Sequence, residues 1–209
     1  MSKKRGELLK ICYFHLYLFI IMSLIISGCS TKLPYVLNPN YDQNSTRIIA
    51  LLPVENKTVD DDGKTFQLLR TRLFEELYFK GYPKLPLDLI DKKLESLYAN
   101  GAKGSSATVA PQALKDLVGA DAGLYCMIME DRKPEKLFYA PITIAIRCEL
   151  HSAKTGEIIW NAQGESTCRN FDFTHKGLER KSHEALEIVI EEVVSKVMKT
   201  LPDGPNLRG

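Results

Sequence analysis

An excess of charge of either sign is lacking: the 209 residues carry 28 Lys and Arg against 26 Asp and Glu. Without clustered positive charge a phosphate backbone has nothing to hold, so nucleic acid is not an expected partner. Histidine is scarce, with four copies at positions 15, 151, 175 and 183. Cys168, His175 and His183 are separated by six and seven residues, which matches no compact zinc spacing. His183-Glu184 lacks the second histidine of a metalloprotease helix, and no metal is expected. Glycine is missing where phosphate chemistry needs it. Gly101 and Gly104 lack the Lys-Ser/Thr ending and the preceding strand of a phosphate loop. Gly164-Glu165-Ser166 lacks the glycine spacing of a nucleophile elbow. Asp60-Asp61-Asp62-Gly63 is not followed by the alternating ligands of a calcium loop, and reads as negative charge placed before a helix N-terminus. Glu130-Asp131 and Glu191-Glu192 read as solvated edges. No catalytic residue and no cofactor are assigned, and the chain is not expected to be an enzyme.

What is present begins at the N-terminus. Lys3, Lys4, Arg5 and Lys10 precede the apolar run Ile11–Ile26, which is followed by Ser27-Gly28-Cys29. A basic start, an apolar stretch and small residues form the three parts of a secretory signal. The run nearly reaches spanning length, but His15 interrupts it and small residues close it. Without residues 1–28 the chain carries 24 basic groups against 25 acidic ones. Residues 30–46 hold two prolines and no sustained periodicity, the signature of a tether. A core of about 155 residues, 47–201, and a flexible tail, 202–209, complete the expected organisation.

The core alternates helical and extended patterning. Arg47–Pro53 is a continuous apolar run, the pattern of a buried strand. Phe66, Leu69, Leu73 and Leu77 recur at helical spacing, and Gly81 stops that helix. Tyr82–Pro86 is read as a short second strand. Leu87, Ile90, Leu94, Leu97 and Tyr98 give a second helical stripe, and Pro111 opens a short third helix. Leu124, Cys126 and Ile128 alternate with Tyr125, Met127 and Met129, and Ile142 to Leu150 repeats the period of two. Thr155-Gly156-Glu157 supplies a turn into a returning strand over 158–167. Leu186, Val189, Ile190, Val193, Val197 and Leu201 make a long amphipathic helix to cover the apolar sheet face. The order β-α-β-α-α-β-β-β-α predicts an α/β (α+β) fold, a mixed sheet with helices packed against it.

Among the cysteines, Cys126 and Cys148 could meet on neighbouring strands, with Cys148 and Cys168 the weaker pairing. Packing as small apolar core residues is the favoured reading for these thiols. Trp160 is expected to fill the core. Tyr139, Phe171 and Phe173 lie at strand ends or in the loop that follows, and Phe171 and Phe173 could anchor a partner.

Two resemblances sharpen this. Ile26-Ser27-Gly28-Cys29 resembles a bacterial lipobox, which implies cleavage between Gly28 and Cys29 and acylation of the Cys29 thiol. Ser30, in place of aspartate, implies the outer membrane, with the domain facing the periplasm. Acyl chains would hold it firmly, each buried methylene contributing about 0.8 kcal/mol. From about Arg47 onward the chain resembles the outer-membrane lipoprotein family of the genome-derived Neisseria antigen type. The carriers are Leu52-Pro53-Val54-Glu55-Asn56, Gly81-Tyr82 with Pro86, Leu89-Ile90-Asp91 with Leu94, Gly119-Ala120-Asp121-Ala122, and Thr155-Gly156-Glu157 with Trp160. That family often has a second proline where Val54 stands. The resemblance implies a domain similar to the N-terminal domain of TolB and supplies no catalytic residue; its glycines turn the chain, and Asp121 caps or braces a junction. The implied role is a non-enzymatic binding component of a cell-envelope assembly or secretion system. Its partners would be the membrane, through the lipid anchor, and other envelope proteins. A regulator of peptidoglycan synthesis and an envelope hydrolase using carboxylates are the alternatives.

Overall fold

Each strand with an apolar face must bury it, and that requirement organises the chain. In the computed structural model, which describes residues 34–39, 41–42, 45–56, 63–98, 109–133 and 138–207, the strands form one mixed sheet. They are β1 (Tyr35–Leu37), β2 (Ile49–Leu51), β3 (Glu55–Asn56), β4 (Ala122–Arg132), β5 (Tyr139–Ser152) and β6 (Ile158–Phe171). The spatial order is β1-β6-β5-β4-β2, with β3 also on β4. Strands β4, β5 and β6 make an antiparallel meander; β1 is antiparallel to β6, whereas β2 and β3 run parallel to β4. The helices are α1 (Lys64–Phe79), α2 (Leu87–Tyr98), α3 (Ala113–Val118) and α4 (His175–Met198). This is the expected class, a mixed sheet with helices against it.

Two apolar clusters divide the faces. Leu69, Leu73 and Leu77 of α1 and Val189, Ile190, Val193 and Val197 of α4 pack on the face that carries Leu124, Ile144, Ile146 and Trp160. Ile90 and Leu94 of α2 and Leu114 of α3 cover Ala50 and Leu52 on the other face. Strand β2 is therefore buried from both sides, which is why its sequence is apolar without alternation. Leu51 and Leu124 are opposite each other, yet so are Glu55 and Met127. The edge strand has gained one residue across Leu52-Pro53-Val54, where a proline with no N–H interrupts the ladder.

Several local expectations meet a different outcome. Tyr35–Leu37, inside the stretch read as tether, is strand β1, with Tyr35 opposite Ala162 and Leu37 opposite Trp160. Its backbone is held by partners more than a hundred residues away, which local composition does not encode. Tyr82–Pro86 is not a strand: Pro83 and Pro86 have no N–H to donate, and Tyr82 turns fully into the core. The end of the chain, read as a tail, folds back. The Gly204 N–H donates to the Lys80 carbonyl at 2.6 Å and the Asn206 N–H to the Gly81 carbonyl at 3.0 Å. Gly81 has φ 83°, and a Cβ there would lie 2.9 Å from the Leu207 nitrogen, so both conformation and space require glycine. Helix α4 starts at His175, eleven residues before Leu186, because Thr174 caps it: its side chain accepts the Gly177 N–H at 3.1 Å.

The preference for core packing of the cysteines is corrected. Cys126 and Cys148 face each other across β4 and β5 with Cα atoms 4.2 Å apart and are disulfide-bonded, as well as buried. That separation belongs to a non-hydrogen-bonded antiparallel pair, the position where opposing side chains come closest. Cys168 is the free thiol among the described cysteines, opposite Ile142 and not Cys148. The solvated reading of Asp131 is also corrected. Ile128 pairs with Ile146 and Glu130 with Ala145, so Met129 is an extra residue in β4. The bulge shifts the alternation by one, turning Met129 out and Asp131 in, where its side chain keeps only 4% exposure and pairs with Lys133 at 3.0 Å. Glu191 and Glu192 are exposed, as expected.

Candidate functional site

The aromatic residues singled out in the sequence come together at one end of the sheet. Phe171 ends β6, Tyr139 begins β5, and the antiparallel register places them opposite each other with ring centroids 4.6 Å apart. Phe173 lies in the short link to α4, 6.3 Å from the ring of Phe138. Phe138, Phe171 and Phe173 are 49%, 61% and 92% exposed. Phe138 is the member that sequence reasoning missed; its place depends on pairing of β5 with β6, although its neighbour Tyr139 was already a signal.

A hydrogen-bond network fixes this end. Asp172 accepts the Thr174 N–H and the Thr174 hydroxyl, both at 2.9 Å, and pairs with Lys181 at 3.0 Å. The Thr174 N–H and the Lys181 ammonium hold the Asp172 carboxyl down to about 2. Lys181 also donates to the Phe171 carbonyl at 2.8 Å. Beside the aromatic cluster a groove of about 760 Å³ runs between the start of β5 and the first turns of α4. Lys133, Lys176, Arg180 and His183 line it, with Glu179 and Glu184.

A second concavity, about 220 Å³, lies on the opposite face of the sheet and is lined by Glu55, Tyr125, Met127, Glu149 and His151. Glu149 pairs with Arg147 at 2.9 Å and lies 3.2 Å from His151 Nε2, both on its own strand. Tyr125 packs edge-on against the His151 ring and donates its hydroxyl to the Val109 carbonyl at 2.9 Å. Among the described residues that line this concavity, the Cys126 sulfur is in the disulfide and the Tyr125 hydroxyl is committed to the Val109 carbonyl.

Other polar residues serve the fold. Burial works to raise the Asp121 pKa, but the Lys115 ammonium and the Ile48 and Arg47 N–H groups outweigh it and hold the carboxyl below its usual range. Asp121 thereby ties the start of β2 to the end of α3, the expected brace. Arg70 of α1 forms a two-pronged bond to Asp91 of α2, both arms 2.7 Å, and reaches the Leu51 carbonyl at 3.3 Å. This clamps two helices across β2 and covers its edge. Glu192 is held below its usual range by Lys196 and Ser166. Asp121, Asp172 and Glu192 are each shifted downward by a structural contact, opposite to the shift a general acid needs. Among the described residues no group of three His, Cys, Asp or Glu could hold a metal. Gly28, Cys29, Asp60–Asp62, Gly101 and Gly104 lie outside the described residues.

The carrier motifs serve as turns at Gly81 and Gly156 and as the brace at Asp121, as the resemblance implies. The chain belongs to the GNA1162-like lipoprotein family. The match, described as "Putative lipoprotein GNA1162-like", spans residues 39–206. Among solved structures it is similar to lipoprotein GNA1162 from Neisseria meningitidis, at 20% identity over 68% of this chain and 97% of that one, TM-score 0.48. The PelC dodecamer from Paraburkholderia phytofirmans aligns at 16% identity over 80% of this chain and 97% of that one, TM-score 0.45. The LpoB C-terminal domain from Salmonella enterica aligns at 14% over 69% and 90%, TM-score 0.40. Likeness of this degree assigns no residue a role. No protein of curated function matches the sequence.

Proposed function

We propose that this lipoprotein is an outer-membrane-anchored, periplasm-facing binding component of a cell-envelope assembly or secretion system. Acylation of Cys29, after cleavage behind Gly28, supplies the anchor, and Phe171 and Phe173 belong to the contact surface. The observation that carries the reading is the exposed aromatic end, where three phenylalanines stand together: Phe173 keeps 92% exposure while Trp160 keeps none. Large apolar side chains held in water by a fixed backbone are contact groups more readily than catalytic ones. Family membership supports the lipoprotein part, and an anchor confined to a surface raises the effective concentration of surface-bound partners.

Crosslinking in intact cells, followed by purification from membranes and mass spectrometry, tests the reading. Specific envelope proteins should be captured, and their yield should fall when Cys29→Ala removes the acylation site. Recovery of abundant bystanders alone, across crosslinkers of different length, would sink the assembly role.

A further inference from the structure

We infer that the aromatic end of the domain rests on the anionic phospholipid surface that holds the acyl chains of Cys29. The inference depends on the anchored reading above and names what the exposed phenylalanines touch. The path of the chain gives the direction. Tyr35 lies opposite Ala162 and Leu37 opposite Trp160, and the Gln163 N–H donates to the Pro34 carbonyl at 3.1 Å. Traced back towards its start, the chain therefore enters β1 from the side of Phe171, not from the side of Trp160.

Length supplies the constraint. Only Ser30 to Leu33 separate Cys29 from Pro34. Five residue steps reach at most about 17 Å when fully extended. From Gln163 to Phe171, eight residues of β6 span about 27 Å. An anchor on so short a lead cannot let the domain hang free of the bilayer. The lead is shorter than this stretch of β6, so the end of the sheet beyond Gln163 stays within reach of the interface, where apolar side chains settle between headgroups and acyl chains.

The chemistry fits that position. Phe138, Phe171 and Phe173 project beside Tyr139, and the neighbouring groove carries Lys133, Lys176, Arg180 and His183 against Glu179 and Glu184. Aromatic rings beside cations are the composition of a membrane–water interface: the rings enter the apolar boundary and the cations meet lipid phosphates. The opposite end, at Phe79, faces away from the bilayer in this arrangement.

The test uses the full protein purified from membranes with its acyl chains, its mass confirming acylation at Cys29. It is reconstituted into phosphatidylethanolamine–phosphatidylglycerol vesicles with brominated acyl chains, which quench only tryptophan that reaches them. Phe173→Trp is compared with Phe79→Trp, buried Trp160 being common to both. Emission from position 173 should fall by roughly half or more, as expected for a ring at the acyl boundary, and that from position 79 should not change. Equal emission at the two positions, or quenching at 79 alone, overturns the inference. Unquenched emission together with photo-crosslinks from position 173 to protein reassigns the surface to a protein partner. Equal quenching at 173 in neutral phosphatidylcholine vesicles overturns the part given to the basic groove. Protein lacking acyl mass on Cys29 overturns the anchored reading and this inference together, whereas acylated but unquenched protein overturns the inference alone.

Discussion

Near one end of β6, Trp160 is fully buried and its Nε1–H donates to Thr200 Oγ1 at 3.3 Å. At the other, Phe171 is 61% exposed and Phe173, two residues on, 92%. The first end is a latch: Tyr82 is buried and donates its hydroxyl to the Pro202 carbonyl at 2.9 Å, and the chain end lies across Gly81. At the latch Trp160 and Tyr82 lie inside with their polar tips partnered, whereas Phe171 and Phe173 at the other end, with no polar atom, are left in water. Folding alone would favour burying them, so the difference separates residues that hold the domain from residues that face something else.

The largest effect that tests this contrast is at Trp160. Trp160→Ala should cost about 4 kcal/mol by emptying a packed site, read as a fall in the urea midpoint. An effect near zero would mean that the latch end is not a core. Gly81→Ala should follow, at about 2 kcal/mol, because it forces an L side chain to positive φ against the backbone of Leu207. Thermal unfolding reads it directly, and a stabilised variant would refute the latch.

At the aromatic end the expected effects are smaller. Asp172 has a folded pKa of about 2, below its ordinary value near 3.9. Its contribution is complete above pH 4 and is lost as pH falls through about 2, when protonation weakens its bonds to Thr174 and Lys181. Amide protection factors at the start of α4, referred to the intrinsic exchange rate at each pH, should therefore fall on acidification over that window, and Asp172→Asn should flatten the dependence. Phe173→Ser should change stability by less than about 0.5 kcal/mol, since the ring has little to lose on folding. A large destabilisation there would erase the contrast and make Phe173 a structural residue.

Legibility in the sequence followed the range of the interactions. Leu69, Leu73 and Leu77, the alternation through Ile142–Leu150 and the turn at Gly156 were readable because each is written within one element or its immediate flank; the brace at Asp121, which reaches Arg47 and Ile48, came only from the family resemblance. The aromatic end was half readable: Phe171, Phe173 and Tyr139 stood out as residues, but their meeting with Phe138 depends on register between strands.

The sequence by itself determined the mixed sheet, the helices that cover it and the residues able to line its apolar face, since period and composition are local properties. Only the tertiary structure decided that Tyr35–Leu37 is a strand, that Cys126 bonds Cys148, and that an extra residue at Met129 turns Asp131 inward. Each of these is settled by a partner distant in sequence, and a shift of one residue in pairing reverses which face a side chain occupies.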